Sequence, residues 1–251
     1  MTLARTLDRL ALYLSIPLFL ALWQLVSSAG LVNARLFPAP TVVAVDLWHS
    51  ALSGVLFVDL GMSCTRVVIG YAAGAGAGIA IGVLTGRYAL IGNLFTPVFQ
   101  LLRPIPPIAF VPIVILWFGL SELGKWFLVF WGVFFTVWIA THLAVQRVDD
   151  MLIRAARCLG TPDHRLIREV VLPGAMPVIF VGLRTAVSIS FYTLVAAELA
   201  GTFAGLAYRI DIAHQNMQIG QMMGGLVMLG VMSALADRGF GMLSRRLVWW
   251  A

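Results

Sequence analysis

Three charged side chains stand within or beside apolar stretches long enough to cross a bilayer: Arg103, Arg184 and Glu198. An ionisable group at membrane depth is costly, so it normally faces a bundle interior or a water path and finds a partner there. Two kinds of chemistry are open to the arginines. They can draw an anionic solute along a path, or they can sit near the cytoplasmic ends of their spans and pair with a carboxylate or lipid phosphate. Glu198 can couple a proton, or it can cap the outer end of its helix. Other chemistry is poorly provided for. His49, His142, His164 and His214 are scattered without metal-ligand spacing, and His142 and His214 have no evident partner for acid–base work. Cys64 and Cys158 are too few and too far apart for a disulfide framework. A phosphate loop needs a lysine followed by Ser or Thr, and the only lysine, Lys125, precedes Trp126. The chain therefore has no Walker-type nucleotide site, and any nucleotide that powers it belongs to another subunit.

The elements that must carry these residues follow from composition. Of 251 residues, 61% are hydrophobic and 11% charged, with mean hydropathy +0.95. A soluble domain carries about 25% charged residues, so the bilayer is the expected solvent. Runs without Asp, Glu, Lys or Arg cover 10–34, 67–86, 104–121, 126–146 and 212–236, and 173–199 is broken only by Arg184 and Glu198. These predict an all-α polytopic membrane protein, one permease-like domain over 1–251, with six spans near 10–29, 67–86, 98–119, 126–145, 177–198 and 218–236. Pro104, Pro106, Pro107 and Pro112 make the third span a kinked or broken one. The first segment has the charge and core of a signal peptide, but its apolar run is longer and more spans follow, so an uncleaved helix is expected. Residues 41–52 predict a short interfacial helix within an outer loop at 30–65.

Arginine placement sets the orientation. With both termini inside, the cytoplasmic side receives Arg5, Arg9, Arg87, Arg147, Arg154, Arg157, Arg165, Arg168, Arg238, Arg245 and Arg246. The outer loops receive only Arg35, Lys125 and Arg209. The net charge of +6 thus marks cytoplasmic loops rather than a nucleic-acid partner. Five of these arginines fall in one loop at about 146–176. Its pattern predicts a helix stopped at Gly160, a turn at Thr161-Pro162-Asp163 and a second helix ended by Pro173. That shape suits docking into a groove on a soluble partner; a solvated basic loop that only sets topology is the alternative. In the second span, Gly70, Gly74, Gly78, Gly82 and Gly86 recur every four residues, which lays a smooth stripe along one face for close helix packing.

The loop resembles the E-A-A…G…I-x-L-P segment in membrane subunits of binding-protein-dependent bacterial ABC importers, through Ala155, Ala156, Gly160, Val171, Leu172 and Pro173. Arg154 stands where many members have the glutamate, so no role of that acid transfers. Leu102-Arg103-Pro104-Ile105-Pro106-Pro107, Ile115-Leu116-Trp117-Phe118-Gly119, Gly182-Leu183-Arg184 and Leu194-Val195-Ala196-Ala197-Glu198 resemble the taurine, alkanesulfonate and nitrate or bicarbonate branch, most of all its taurine permeases. The resemblance implies a type I-like permease in the bacterial inner (cytoplasmic) membrane. It implies a homodimer with a second copy of the chain, two ATP-binding subunits that hold ATP and Mg, and a periplasmic or extracellular solute-binding protein. Lipid surrounds it, and the chain itself has no cofactor. The implied ATPase contact is Arg154, Ala155, Ala156, Leu159, Gly160, Thr161, Pro162, Asp163 and Arg165. Arg103, Pro104, Pro107, Arg184 and Glu198 are the candidates for lining the path. The implied function is passage of a small anionic or zwitterionic solute, taurine or an alkanesulfonate, with nitrate or bicarbonate as the alternative. A secondary transporter driven by an ion gradient would instead show internal repeats and buried carboxylates near mid-membrane. The sequence shows no clear repeat, and Glu198 is the one candidate acid.

Overall fold

A computed structural model describes residues 2–30, 33 and 35–250, with side chains from 14 onward. Among these residues the chain is helical, without strands. Helix α1 spans Thr2–Ser28, and α2, Pro40–Leu52, is a short helix at the place where one is expected over 41–52. The long helices are α3 (Val55–Arg87), α6 (Glu122–Gln146), α9 (Leu172–Leu199) and α11 (Ile219–Leu247). Between α3 and α6 lie α4 (Ala89–Leu102), a 3-10 turn (Pro107–Phe110) and α5 (Val111–Phe118). Between α6 and α9 lie α7 (Asp150–Cys158), a single turn α8 (Asp163–Arg165) and a π-helical stretch (Leu166–Val171) that runs into α9. Helix α10, Leu206–Gln215, links α9 to α11.

Among the described residues four helices are long and apolar enough to cross a membrane, and a fifth crossing is made if α4 and Pro107–Phe118 count as one broken span. Of α1, the apolar helical part with described side chains is Leu14–Ser28. The count of six spans is thus an expectation that these helices do not by themselves complete.

Several boundaries differ from the sequence reading; α11, for one, runs on to Leu247 rather than stopping near 236. The second span starts at Val55, not near 67, so the outer loop ends eleven residues early. Asp59 and Arg66 lie ahead of the charge-free run, but both are buried on α3 in ion pairs with other helices. The third span starts at Ala89 and breaks at Arg103–Pro106, with 87° between its two halves. The second loop helix does not end at Pro173. It continues from Asp163 to Leu199, because the wide π turn just before Pro173 absorbs the carbonyl that the ring would otherwise strike.

The centre of the fold is α6, the most buried of the long helices, packed between α3 and α9. Helices α3 and α6 run parallel. A Cβ added at Gly70 would meet the Val129 Cβ at 2.6 Å, at Gly74 Val133 at 2.9 Å, at Gly78 Val137 at 2.9 Å, at Gly82 Thr141 at 2.6 Å and at Gly86 Val145 at 2.9 Å. Two stripes of period four therefore interlock, and the missing side chains let the backbones approach. Tyr71 donates from its hydroxyl to the Leu183 carbonyl at 2.9 Å, tying α3 to α9.

Candidate functional site

The polar residues gather at three places along this bundle. At one end, the first turns of α3 and α6 meet the last turn of α9 and the start of α10. Arg66, 1% exposed, uses all five of its N–H groups there. It bridges both oxygens of Glu122 at 2.7 and 2.8 Å, Glu198 Oε1 at 2.9 Å, the Ala204 carbonyl at 2.7 Å and Thr202 Oγ1 at 2.8 Å. Lys125 reaches Glu122 at 2.8 Å, and Arg209 reaches the buried Asp59 at 2.8 Å. Three cations thus balance three carboxylates, as burial of charge requires. Glu198 also accepts from the Ser63 hydroxyl at 2.6 Å and the Ala207 N–H at 2.7 Å. Both of its oxygens are committed, so the structure places it as a tie between helices. Gly205 closes the network: its N–H donates to Asp59 at 2.9 Å, and its φ of +139° together with the adjacent Glu198 carboxylate leaves no room for a Cβ.

At the opposite end, α7 stands on the bundle. The Asp149 side chain accepts from the Met151 N–H at 2.8 Å and caps it. Gly160, with φ +76°, ends it, and Thr161 N–H returns to the Ala156 carbonyl at 3.1 Å. Ile153 and Ala156 pack against the core around Leu166 and Val171. Arg154, Ala155, Leu159, Gly160, Pro162, Asp163 and Arg165 are exposed, while Ala156 and Thr161 are half-buried. Leu159 is 86% exposed at the tip and Met151 75% on the flank, so apolar surface is offered outward.

Between the ends lie the remaining path candidates. Arg184 is bound in two places to Asp237 of α11, at 2.8 and 2.7 Å, on a face the rest of the chain leaves exposed. Arg103, Pro104 and Pro107 line a cavity of about 190 Å³ against Trp131, Thr136 and Tyr192. Trp131 to Thr136 occupy the middle of α6, so this cavity lies at half depth. Nearer the α7 end, a cleft of about 590 Å³ is lined by Asn93, Thr96, Gln100, His142 and Gln146. The sequence reading did not single out the polar residues of α4. Their spacing of three, four and three from Asn93 to Arg103 was visible, but a span begun at 98 cut the stripe in two.

Comparison with known proteins identifies the family of this bundle. Residues 78–248 match the model of the binding-protein-dependent transport system inner membrane component. The chain belongs to that family. It is 36% identical over 231 residues to a Bacillus subtilis (strain 168) protein named as an aliphatic sulfonates transport permease, covering 92% of this chain and 84% of that one. It is 30% identical to the taurine transport system permease protein of Escherichia coli (strain K12), covering 94% and 88%. A solved amino acid ABC transporter shares the fold at TM-score 0.61 and 16% identity, over 80% of this chain and 97% of that one. An inward-facing methionine ABC transporter does so at TM-score 0.59 and 20% identity, over 78% and 95%. The chain is therefore a multi-pass inner-membrane permease subunit of an ABC importer in the sulfonate, taurine and bicarbonate branch. As a member of this permease family it is a transport component that works with an ATPase and a substrate-binding protein.

Proposed function

We propose that a homodimer of this chain forms the translocation path for a small anionic or zwitterionic solute, taurine or an alkanesulfonate, in an ATP-driven importer. The observation that carries the solute class is the similarity, over nine-tenths of the chain, to a sulfonate permease and a taurine permease. ATP and Mg sit on two partner subunits, since the only lysine here is tied to Glu122 at 2.8 Å and followed by Trp126. The exposed strip of α7 and its turn, from Arg154 to Arg165, docks those subunits, and both termini lie on their cytoplasmic side. The binding protein delivers solute at the Arg66 end. Outward-facing Ile113, Leu116 and Trp117 on α5, with most of α11, are surfaces for the second copy and for lipid. A carrier driven by an ion gradient is the weaker reading, because Glu198 has no free oxygen to exchange a proton.

The test is uptake in proteoliposomes holding the permease, its ATPase and its binding protein, with labelled taurine, ethanesulfonate and bicarbonate compared. ATP-dependent uptake of a sulfonate that vanishes when the ATPase subunit is omitted is the expected result. Uptake that persists without that subunit would overturn it.

A further inference from the structure

Four cations of the bundle face a carboxylate at 2.7–2.9 Å: Arg66, Lys125, Arg184 and Arg209. Arg103 does not. Among the described residues it has no ion pair and no side-chain hydrogen bond, although it lines a cavity level with the middle of α6. Arg103 is exposed on the single chain, so at that depth its charge must be met by water, an anion or the second copy. The break at Arg103–Pro106 points the same way, since irregular backbone at membrane depth persists only beside protein or a cavity.

Arg103 also completes a pattern. Helix α4 is apolar except for Asn93, Thr96 and Gln100, and with Arg103 these are spaced three, four and three apart, on one helix face. Asn93, Thr96 and Gln100 line the large cleft near α7, and Arg103 lines the smaller cavity above it. The cavity volume of about 190 Å³ lies below the roughly 300 Å³ at which sites for drug-sized ligands begin, which selects a solute of few heavy atoms.

We propose that Arg103 holds the head group of a small organic sulfonate half-way along the bundle, in the cavity that opens on its surface, and that the polar face of α4 is its way out to the cleft. This inference rests on the permease reading above. A guanidinium fork matches two oxygens of a sulfonate as it does those of a carboxylate or phosphate. The Tyr192 hydroxyl is a further donor on the same walls, while Phe135 and Ile189 give a short alkyl chain apolar contact. The Thr136 and Thr193 hydroxyls are already spent on the Gly132 and Ser190 carbonyls, so the donors toward an anion come from Arg103 and Tyr192. Gln100 and Asn93, both exposed, then offer neutral hydrogen bonds, which pass an anion on without trapping it.

The experiment measures ethanesulfonate uptake in proteoliposomes of the complete importer, for wild type, Arg103→Met, Arg103→Lys and Gln100→Leu, with assembly followed by size-exclusion chromatography. Arg103→Met should lower the uptake rate at least tenfold, and Arg103→Lys should raise KM at least fivefold because a point charge replaces a fork. Gln100→Leu should lower the maximal rate at least threefold with little change in KM. Wild-type transport by Arg103→Met overturns the proposal. If that variant does not assemble, wild-type kinetics in both Arg103→Lys and Gln100→Leu overturn it instead. A wild-type importer that takes up no sulfonate at all defeats the permease reading of the solute, and is told apart because no variant is then needed.

Discussion

Arg66 and Glu198 are paired at 2.9 Å with side chains 1% and 0% exposed, so neither charge can be relieved by water. Breaking a buried pair from one side leaves the other charge stranded, which typically costs about 3–5 kcal/mol. Glu198→Gln keeps the shape but removes the charge that Arg66, Ser63 and the Ala207 N–H address. Its detergent-solubilised melting temperature should fall clearly, with Arg66→Met at least as damaging, and a melt unchanged in both would refute the network's structural role. The sequence exposed Glu198 as an unusual residue but not its purpose. Its partners Ser63 and Arg66 precede it by more than a hundred residues, and Arg66 sat at the edge of a charge-free run where it counted for nothing. Asp59, Ser63 and Arg66 do share one helix face by spacing, a sign that the helix begins before its apolar core.

Helix α3 shows most directly what was legible at the level of elements. Its glycine stripe announced close packing, and the partner stripe Val129, Val133, Val137, Thr141 and Val145 has the same period of four. Gly74 and Gly76 separate packing from backbone propensity. A Cβ at Gly74 would lie 2.9 Å from the Phe130 carbonyl oxygen and 2.9 Å from Val133 Cβ, whereas at Gly76 nothing lies within 4 Å. Overpacking costs about 1–3 kcal/mol, while Gly→Ala at an open helical position gains up to about 1 kcal/mol. Gly74→Ala should therefore melt lower than wild type and Gly76→Ala equal or higher; the reverse order would refute the parallel α3–α6 contact. What the sequence hid was the run of α8, the π turn and α9 as one helix through Pro173. Proline marks a missing donor, and only the geometry of the preceding turn says whether the helix survives it.

The whole molecule separates its working parts along the bundle axis. The charged network closes one end, α7 stands on the other, and the Arg103 cavity lies between. Rigid tying at one end and outward apolar residues at the other are what a subunit needs if force arrives from outside the membrane through a single contact. Leu159 is the sharpest probe of that contact. It is 86% exposed, next to a glycine whose φ of +76° fixes where the tip points. Gly160→Arg would change both the surface and the backbone, since a side chain at that φ is strained. Leu159→Glu changes only the surface. The charge should prevent burial against the ATPase subunit while leaving insertion and melting temperature as in wild type, because Leu159 supports nothing within its own chain. Affinity purification of a tagged permease from cells making both subunits measures this. Wild-type recovery of the ATPase with Leu159→Glu would place the docking contact elsewhere on the loop. Loss with Gly160→Arg alone would then locate the requirement in the bend itself, where the Thr161 N–H closes onto Ala156.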